Sequence, residues 1–521
     1  MRIHALVQKL FQFHPLNAVQ EENLSQLLRI SQKFHVHVGL PFPESPTIHR
    51  DTIVLESGHQ PNFIPYPGVW KKAFLLDLLV KELRASGRDA VAVFGFADYN
   101  LSTAPYLSQN HIPALNKQGN EPVGFKIKEK DRWKGFHTLE KPSGEQFGNE
   151  AEKIARLYRG YTKKLNPDGK NPEIRIDGFL DLFCKSYESS HSFSEMNASL
   201  FAWICSEIFR LEVLFFTYTD IQRDRLFIDT SRSLLTDLSR FRTLSNQAIA
   251  ETGFSQFAVQ EDDVPFWYYC DCGGNVKVTA DSPSCLKGRC PVCEKEYTLP
   301  LGPGLRHLDS FYPRMSLNAV ARNIIVSEGL GTTLFISGVG GSLRYGLVAD
   351  TISREMGFHR PLTLAWRSRD RYFGPVHHLS LQELSRTFGF QSEDLANGTV
   401  NGRIRDHCSA LYERVKTLQD AGGDKREMKR IENTAVQARN VAMTVKNIFS
   451  ITPSLLDLLI ACEPGQILDR WREVATESEI HRDGRFLTMM GDIFHPCDPG
   501  SHHVPHYSPD VYRIMETLEG A

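Results

Sequence analysis

The sequence predicts an α/β protein built on a largely parallel sheet, interrupted by insertions that include a metal-binding ribbon and a helical hairpin. Three observations carry this expectation. Short apolar runs at Thr52–Glu56, Ala90–Phe94, Glu212–Thr217, Thr333–Ser337 and Leu362–Trp366 alternate with longer helical stretches. Strands covered by helices on both faces read as continuous apolar runs of this kind. Five of the ten cysteines crowd between Cys270 and Cys293. From about residue 403 to 450, apolar residues recur at heptad spacing among long charged ones.

Taken in order, residues 1–50 read as helical, with Leu24, Leu27, Leu28 and Ile30 grouped before Pro41 and Pro43 close the segment. The strand Thr52–Glu56, a Gly/Pro/Asn-rich loop, an apolar helix from about Val69 to Leu83 and the strand Ala90–Phe94 are the ingredients of a right-handed βαβ unit. Residues 105–175 are polar and irregular and are expected to form an insertion within a first core segment, 51–260. Helices are expected near 177–190 and 194–210, then the strand Glu212–Thr217 and a helix beginning near Thr230. After a ribbon at 261–300, the alternation restarts in a second core segment, 301–395, where helix 344–356 separates the last two strands. An interrupted Rossmann-like sheet is the economical fold.

The heptad segment, 396–450, has two halves. Ile404, Cys408, Leu411, Val415 and Leu418 form one stripe, and Met428, Ile431, Ala435, Ala438, Ala442 and Val445 the other. Asp420-Ala-Gly-Gly-Asp424 between them stops a helix, so an antiparallel coiled-coil hairpin that mediates a homodimer is expected. Two ordinary surface helices are the alternative. The remainder, 451–521, reads as a helical and irregular tail. Its His495, Cys497, Asp498, His502, His503 and His506 follow no established ligand spacing and fit a polar turn better than a second metal site.

At 521 residues the chain exceeds what a single growing core supports. Its 60 basic and 62 acidic residues nearly balance, which argues against a protein that mainly coats nucleic acid or an anionic membrane, though a local basic patch is compatible with it. Residues 1–20 break their apolar positions with Gln, Lys and His, unlike a secretory signal, and no stretch has the ~20 uncharged residues of a membrane span. A cytoplasmic location is expected. Cys184, Cys205, Cys408, Cys462 and Cys497 are scattered, as ordinary thiols are.

Cys270 and Cys272 before a Gly-Gly turn, and Cys290 and Cys293 around Pro-Val, form two knuckles separated by a linker of ribbon length. Four thiolates at tetrahedral geometry saturate zinc and leave no position for substrate, so the metal is expected to be structural. Cys285 lies midway and competes with Cys272 for the fourth place.

The loops after the strands are where α/β sheets bind ligands. Gly58-His-Gln-Pro-Asn62 through Gly68 leads into a helix carrying Lys71 and Lys72. His59, Gln60 and Asn62 supply polar contacts there, and a lysine on the first helical turn neutralises an anion. Ala97-Asp98-Tyr99-Asn100 places a carboxylate and an amide after the second strand; Asp98 suits an amine, a ribose hydroxyl or a helix cap. Ser337-Gly338-Val339-Gly340-Gly341 opens a helix with backbone N–H groups that suit an anion. Arg367 closes the following strand, and Arg314 is expected near the same edge.

In this order, the motifs resemble the BshC family, the cysteine ligases of bacillithiol biosynthesis, over about residues 50 to 470. Gly58-His59-Gln60 through Pro67 to Lys72 is similar to that family's Gly-Gln-Gln loop and helix lysine. Ala97–Asn100 falls on its acidic cluster, Gly338-Val339-Gly340 on its glycine loop, Arg367 on its strand-closing arginine, and the helical hairpin completes the match. Ala97 and Tyr99 stand where the family has Glu and His, Gly341 replaces an acid, and the zinc ribbon is an addition. The resemblance implies a core like that of class I aminoacyl-tRNA synthetases and nucleotidylyltransferases, dimerisation through the coiled coil, and the joining of the cysteine carboxyl group to an amine.

The expected activity is therefore an ATP- and magnesium-dependent carbon–nitrogen ligase. His59, Asn62 and Lys72 would hold phosphates, the glycine loop the nucleotide or acyl group, and Asp98 the acceptor amine. A nucleotidylyltransferase-like or glycan-modifying enzyme with a changed acceptor is the second possibility, and a zinc-ribbon scaffold the third.

Overall fold

The computed structural model describes residues 1–13, 15–44, 47–165, 171–255, 258–338, 340–396, 399–495 and 507–518. The chain is a mixed α/β protein around a seven-stranded sheet. Its strands are β1 (Ile53–His59), β2 (Ala90–Phe96), β3 (Leu214–Thr217), β4 (Leu334–Ser337), β5 (Leu362–Arg367), β6 (Ile480–Asp483) and β7 (Phe486–Met490). They lie in the order β6-β7-β5-β4-β1-β2-β3. All neighbours are parallel except β6, which returns antiparallel on β7.

Alternation explains how apolar runs fill both faces. Leu55, Phe94, Phe96 and Phe215 point into one core, with Trp70, Phe74 and Leu79 of helix Pro67–Ala85. Val54, Val91, Val93, Leu214 and Phe216 point into the other, against helices Ala18–Val38 and Ala319–Leu330. Side chains along a strand alternate between faces, so both layers are needed to bury these residues. The strand order reverses between β1 and β4, and the carboxyl ends of strands at such a point are where open α/β sheets bind ligands.

Three expectations change. Residues 105–175 are not irregular: they hold the hairpin Gln109–Pro113/Asn120–Gly124 and helix Gly144–Leu165, whose Phe147, Ile154 and Tyr158 are buried on one face. The 451–521 tail supplies β6 and β7, a hairpin that extends the main sheet. Helix 194–210 ends at Trp203 and widens into a π turn, Ile204–Ile208.

The ribbon is a five-stranded antiparallel sheet, ordered Met315–Leu317, Asp263–Tyr269, Asn275–Ser282, Cys285–Arg289 and Glu296–Pro300. Helices Val400–Asp420 and Lys425–Ser450 form the hairpin. They bury Ile404, Cys408 and Val415 on one side and Ile431, Ala435, Ala438 and Ala442 on the other, while Leu411 is half-buried. Among the described residues no single helix is long and apolar enough to cross a membrane.

Candidate functional site

β1 runs further than its apolar residues alone suggest, so Gly58 and His59 lie in the strand and not in the loop after it. Space dictates the glycine: a Cβ at Gly58 would sit 2.8 Å from the Gly95 carbonyl oxygen and 3.3 Å from the Tyr218 hydroxyl. Helix Pro67–Ala85 then covers the strand end. Lys72 stands on its second turn, not its first, and donates from Nζ to the Gly58 carbonyl at 3.0 Å. His59 Nδ1 bonds the Gln60 carbonyl at 3.0 Å.

A third basic group joins them that the sequence did not single out. Arg322, on helix Ala319–Leu330, donates to the Tyr99 hydroxyl at 2.8 Å and lies 5.3 Å above the Tyr218 ring. Its helix starts on an Asn318 cap and reads as an ordinary core helix, so only the fold brings Arg322 to the ends of β1, β2 and β3. Among the described residues neither Lys72 nor Arg322 forms an ion pair. Burial, reinforced by Arg322, lowers Lys72 to about 7. Burial and then Lys72 lower His59 to about 3, so the imidazole is neutral.

One acid approaches this group. Glu56, buried within β1, accepts from the Thr332 hydroxyl at 2.7 Å. Burial raises it to about 7, against the pull of Thr332 and Arg322. A carboxylate inside the run Ile53-Val-Leu-Glu56 was a readable signal. The arrangement is short of negative charge, and cations withdrawn from water are costly unless an anion or several hydrogen bonds meet them. A phosphate or carboxylate reaching this point would meet that need.

The other sequence-selected residues are distributed around this centre. Gln60 and Asn62 follow β1 half-buried, and the Asn62 side-chain oxygen is enclosed without a hydrogen-bond partner among the described residues. Asn100 is a turn residue, donating to the Ala97 carbonyl at 3.0 Å. Gly338 ends β4 and Gly340 directly precedes helix Gly341–Met356, whose N-terminus therefore opens beside β1; Val339 lies outside the described residues. Arg367 is exposed at the end of β5. Arg314 does not join the crevice: it donates to the Tyr269 carbonyl, pairs with Asp271 at 2.8 Å and stacks on Tyr268.

Asp98 belongs to a neighbouring cavity of about 530 Å³ at the ends of β2 and β3, shared with His137, Thr219 and Glu195. Its carboxyl accepts from the Thr219 N–H at 3.2 Å and from the Thr219 hydroxyl. It thus caps helix Tyr218–Arg223, which is distant in sequence. Burial raises Asp98 to about 7, opposed by Thr219 and aided by Asp220. His137 is lowered to about 4 by burial and then by Arg223, and its Nδ1 is enclosed without a partner among the described residues. Lys71 is excluded from both centres, because Asp370 at 2.5 Å takes its charge.

The ribbon carries the candidate metal centre. The Sγ atoms of Cys270, Cys272, Cys290 and Cys293 all lie within 4.8 Å of one another. Tetrahedral zinc with Zn–S bonds of ~2.3 Å needs sulfurs about 3.8 Å apart, so the cluster fits. Gly274 is demanded by the cluster, since a Cβ there would fall 2.4 Å from Cys290 Sγ. The Tyr297 hydroxyl donates to Cys270 Sγ at 3.0 Å and the Val292 N–H to Cys290 Sγ at 3.4 Å. Cys285 stays outside, its thiol directed at the Leu286 carbonyl, so Cys272 takes the contested place. Of the His-rich tail, His495 is buried against Asp370 at 2.9 Å, and Cys497, Asp498, His502, His503 and His506 lie outside the described residues.

No known protein family's sequence profile matches the chain, and no curated protein is significantly similar to it.

Proposed function

We propose that the chain is a BshC-like carbon–nitrogen ligase on a Rossmann-like core. It uses ATP and magnesium to activate a small carboxylate, such as that of cysteine, for attack by an amine. The observation that carries the reading is the convergence of Lys72, His59 and Arg322 on the reversal point of the sheet with no ion-pairing acid. Phosphate groups at that point receive the Lys72 ammonium, the Arg322 guanidinium and the N-terminus of helix Gly341–Met356. Magnesium, when bound with the nucleotide, neutralises the remaining phosphate charge. Neutral His59 is suited to donate or accept a hydrogen bond, not to add a third full charge.

The acceptor is assigned to the adjacent cavity. Ionised Asp98 would hold an incoming ammonium and take the proton that frees its amine for attack, and His137, held neutral by burial, would accept a hydrogen bond from that amine. Zinc in the four-cysteine centre is structural, and the hairpin is a coiled coil that joins two copies.

Calorimetric titration with ATP and magnesium tests the reading. Binding that falls at least tenfold in Lys72→Ala is expected. Absence of both heat and a melting shift in the wild type would overturn the ligase, whereas equal ATP affinity in wild type and Lys72→Ala would overturn the phosphate role of Lys72 alone.

A further inference from the structure

Every second residue from Lys126 to Lys134 is basic: Lys126, Lys128, Lys130, Arg132 and Lys134. The chain as a whole has a formal net charge of −2, so this run reverses the local sign. Two of its members are neutralised, Arg132 by Glu129 at 2.9 Å and Lys134 by Asp131 at 2.8 Å. Lys126, Lys128 and Lys130 are exposed and form no ion pair among the described residues.

These three lysines line a groove of about 750 Å³ together with Lys134, Lys141 and Ser143, where helix Gly144–Leu165 begins, and five lysines there outnumber the acids Asp131, Glu140 and Glu150. Trp133, next in the chain to the groove residue Lys134, is 52% exposed. The backbone beneath is fixed on the cysteine ribbon: the Trp133 carbonyl accepts from the Asn275 N–H at 2.9 Å, and the Gly135 N–H donates to the Gly273 carbonyl at 3.0 Å. Spaced cations on a braced segment, ending in an exposed aromatic, match a ligand with repeating negative charge and unstacked rings.

We propose that this groove binds a single-stranded nucleic acid, with phosphates along Lys126, Lys128 and Lys130 and a base stacked on Trp133. A duplex offers the indole no free base face. This site does not depend on the crevice at β1.

Fluorescence anisotropy of the zinc-loaded full chain with labelled single-stranded oligouridine is the test. Binding at low salt is expected, with a slope of log affinity against log salt near −2, about −0.7 for each of three phosphates. The combined change Lys126→Glu, Lys128→Glu and Lys130→Glu should weaken it about tenfold or more, and Trp133→Ala roughly fivefold. All four side chains reach solvent, and an unchanged melting curve would verify folding. Lys72→Ala should bind like the wild type. No binding at low salt, full affinity in the triple variant, or loss in Lys72→Ala would overturn the site. So would indifference to Trp133→Ala combined with competition by an equal charge of polyphosphate, which would mark a general anion surface.

Discussion

The ammonium of Lys72 meets the carbonyl of Gly58 at 3.0 Å, so a buried lysine is satisfied by the main chain of the strand it covers and by no acid. Burial and Arg322 bring it down to about 7 from 10.5. Because the unfolded chain binds this proton more tightly, the penalty on folding is complete below about pH 7 and fades as pH rises toward 10.5. Lys72→Met should therefore be more stable than the wild type at pH 6.5, with the gap narrowing by pH 9.5 in urea melts. An anion in the crevice reverses the balance by favouring the charged amine. Its binding at pH 8 should take up protons, seen as a dependence of calorimetric heat on buffer ionisation; a gap that widens with pH would sink the assignment.

Glu56 shows the opposite titration. Its carboxyl is raised from 4.5 to about 7, chiefly by burial, so the folded state holds a proton that the unfolded chain has released. The cost is absent below about pH 4.5, grows to about pH 7 and is constant above. Glu56→Gln keeps an oxygen for the Thr332 hydroxyl and removes the charge. The variant should melt higher than wild type at pH 8 and alike at pH 4; a loss of stability at pH 8 would mean that ionised Glu56 is needed to balance Arg322.

For the ribbon, metal analysis should find one zinc per chain. Cys290→Ser should lose it together with the ribbon's resistance to proteolysis, because three thiolates bind zinc far less tightly than four. Cys285→Ser should keep it, since that thiol lies outside the cluster. Zinc retained in Cys290→Ser would disprove the ligand set.

The hairpin buries its alanine stripe internally, so a dimer must use other side chains. Tyr412 and Val436 are exposed at 43% and 49% and are apolar surface available for it. The wild type should sediment as a dimer and Val436→Asp as a monomer with unchanged helicity. A monomeric wild type at micromolar concentration would refute the coiled-coil dimer.

Legibility followed burial. Strands β1 to β5 announced themselves as apolar runs because both of their faces are covered. β6 is an edge strand with three exposed residues in four, so its composition resembles a loop, yet Asp483-Gly484 was a hairpin signal. Gly484, at φ +57°, makes that turn. Helix Gly144–Leu165 was hidden by its many polar residues, although Phe147, Ile154 and Tyr158 keep helical spacing. Local pattern singled out His59, Lys72 and Asp98. It could not single out Arg322, whose position beside Tyr99 and Tyr218 comes entirely from where its helix packs.

Neighbouring Lys71 provides the control for Lys72. Its ammonium pairs with Asp370 at 2.5 Å, and the other Asp370 oxygen accepts from Trp471 Nε1 at 2.8 Å and from His495 Nε2 at 2.9 Å. Burial alone would raise this carboxyl, but Lys71 and His495 outweigh it and hold it at about 2. The resulting stabilisation is complete above the ordinary 3.8 and is lost as pH falls toward 2. Asp370→Asn would leave a buried ammonium without its counter-charge, a defect of about 3–5 kcal/mol near neutrality. Chemical denaturation should show that deficit at pH 7 and a smaller one at pH 3. The same variant, if folded, should bind ATP like the wild type, because Asp370 neutralises Lys71 and not Lys72. A variant as stable as the wild type at pH 7 would show that the pair carries no net stabilisation, and a selective loss of ATP affinity would place Lys71 in the crevice after all.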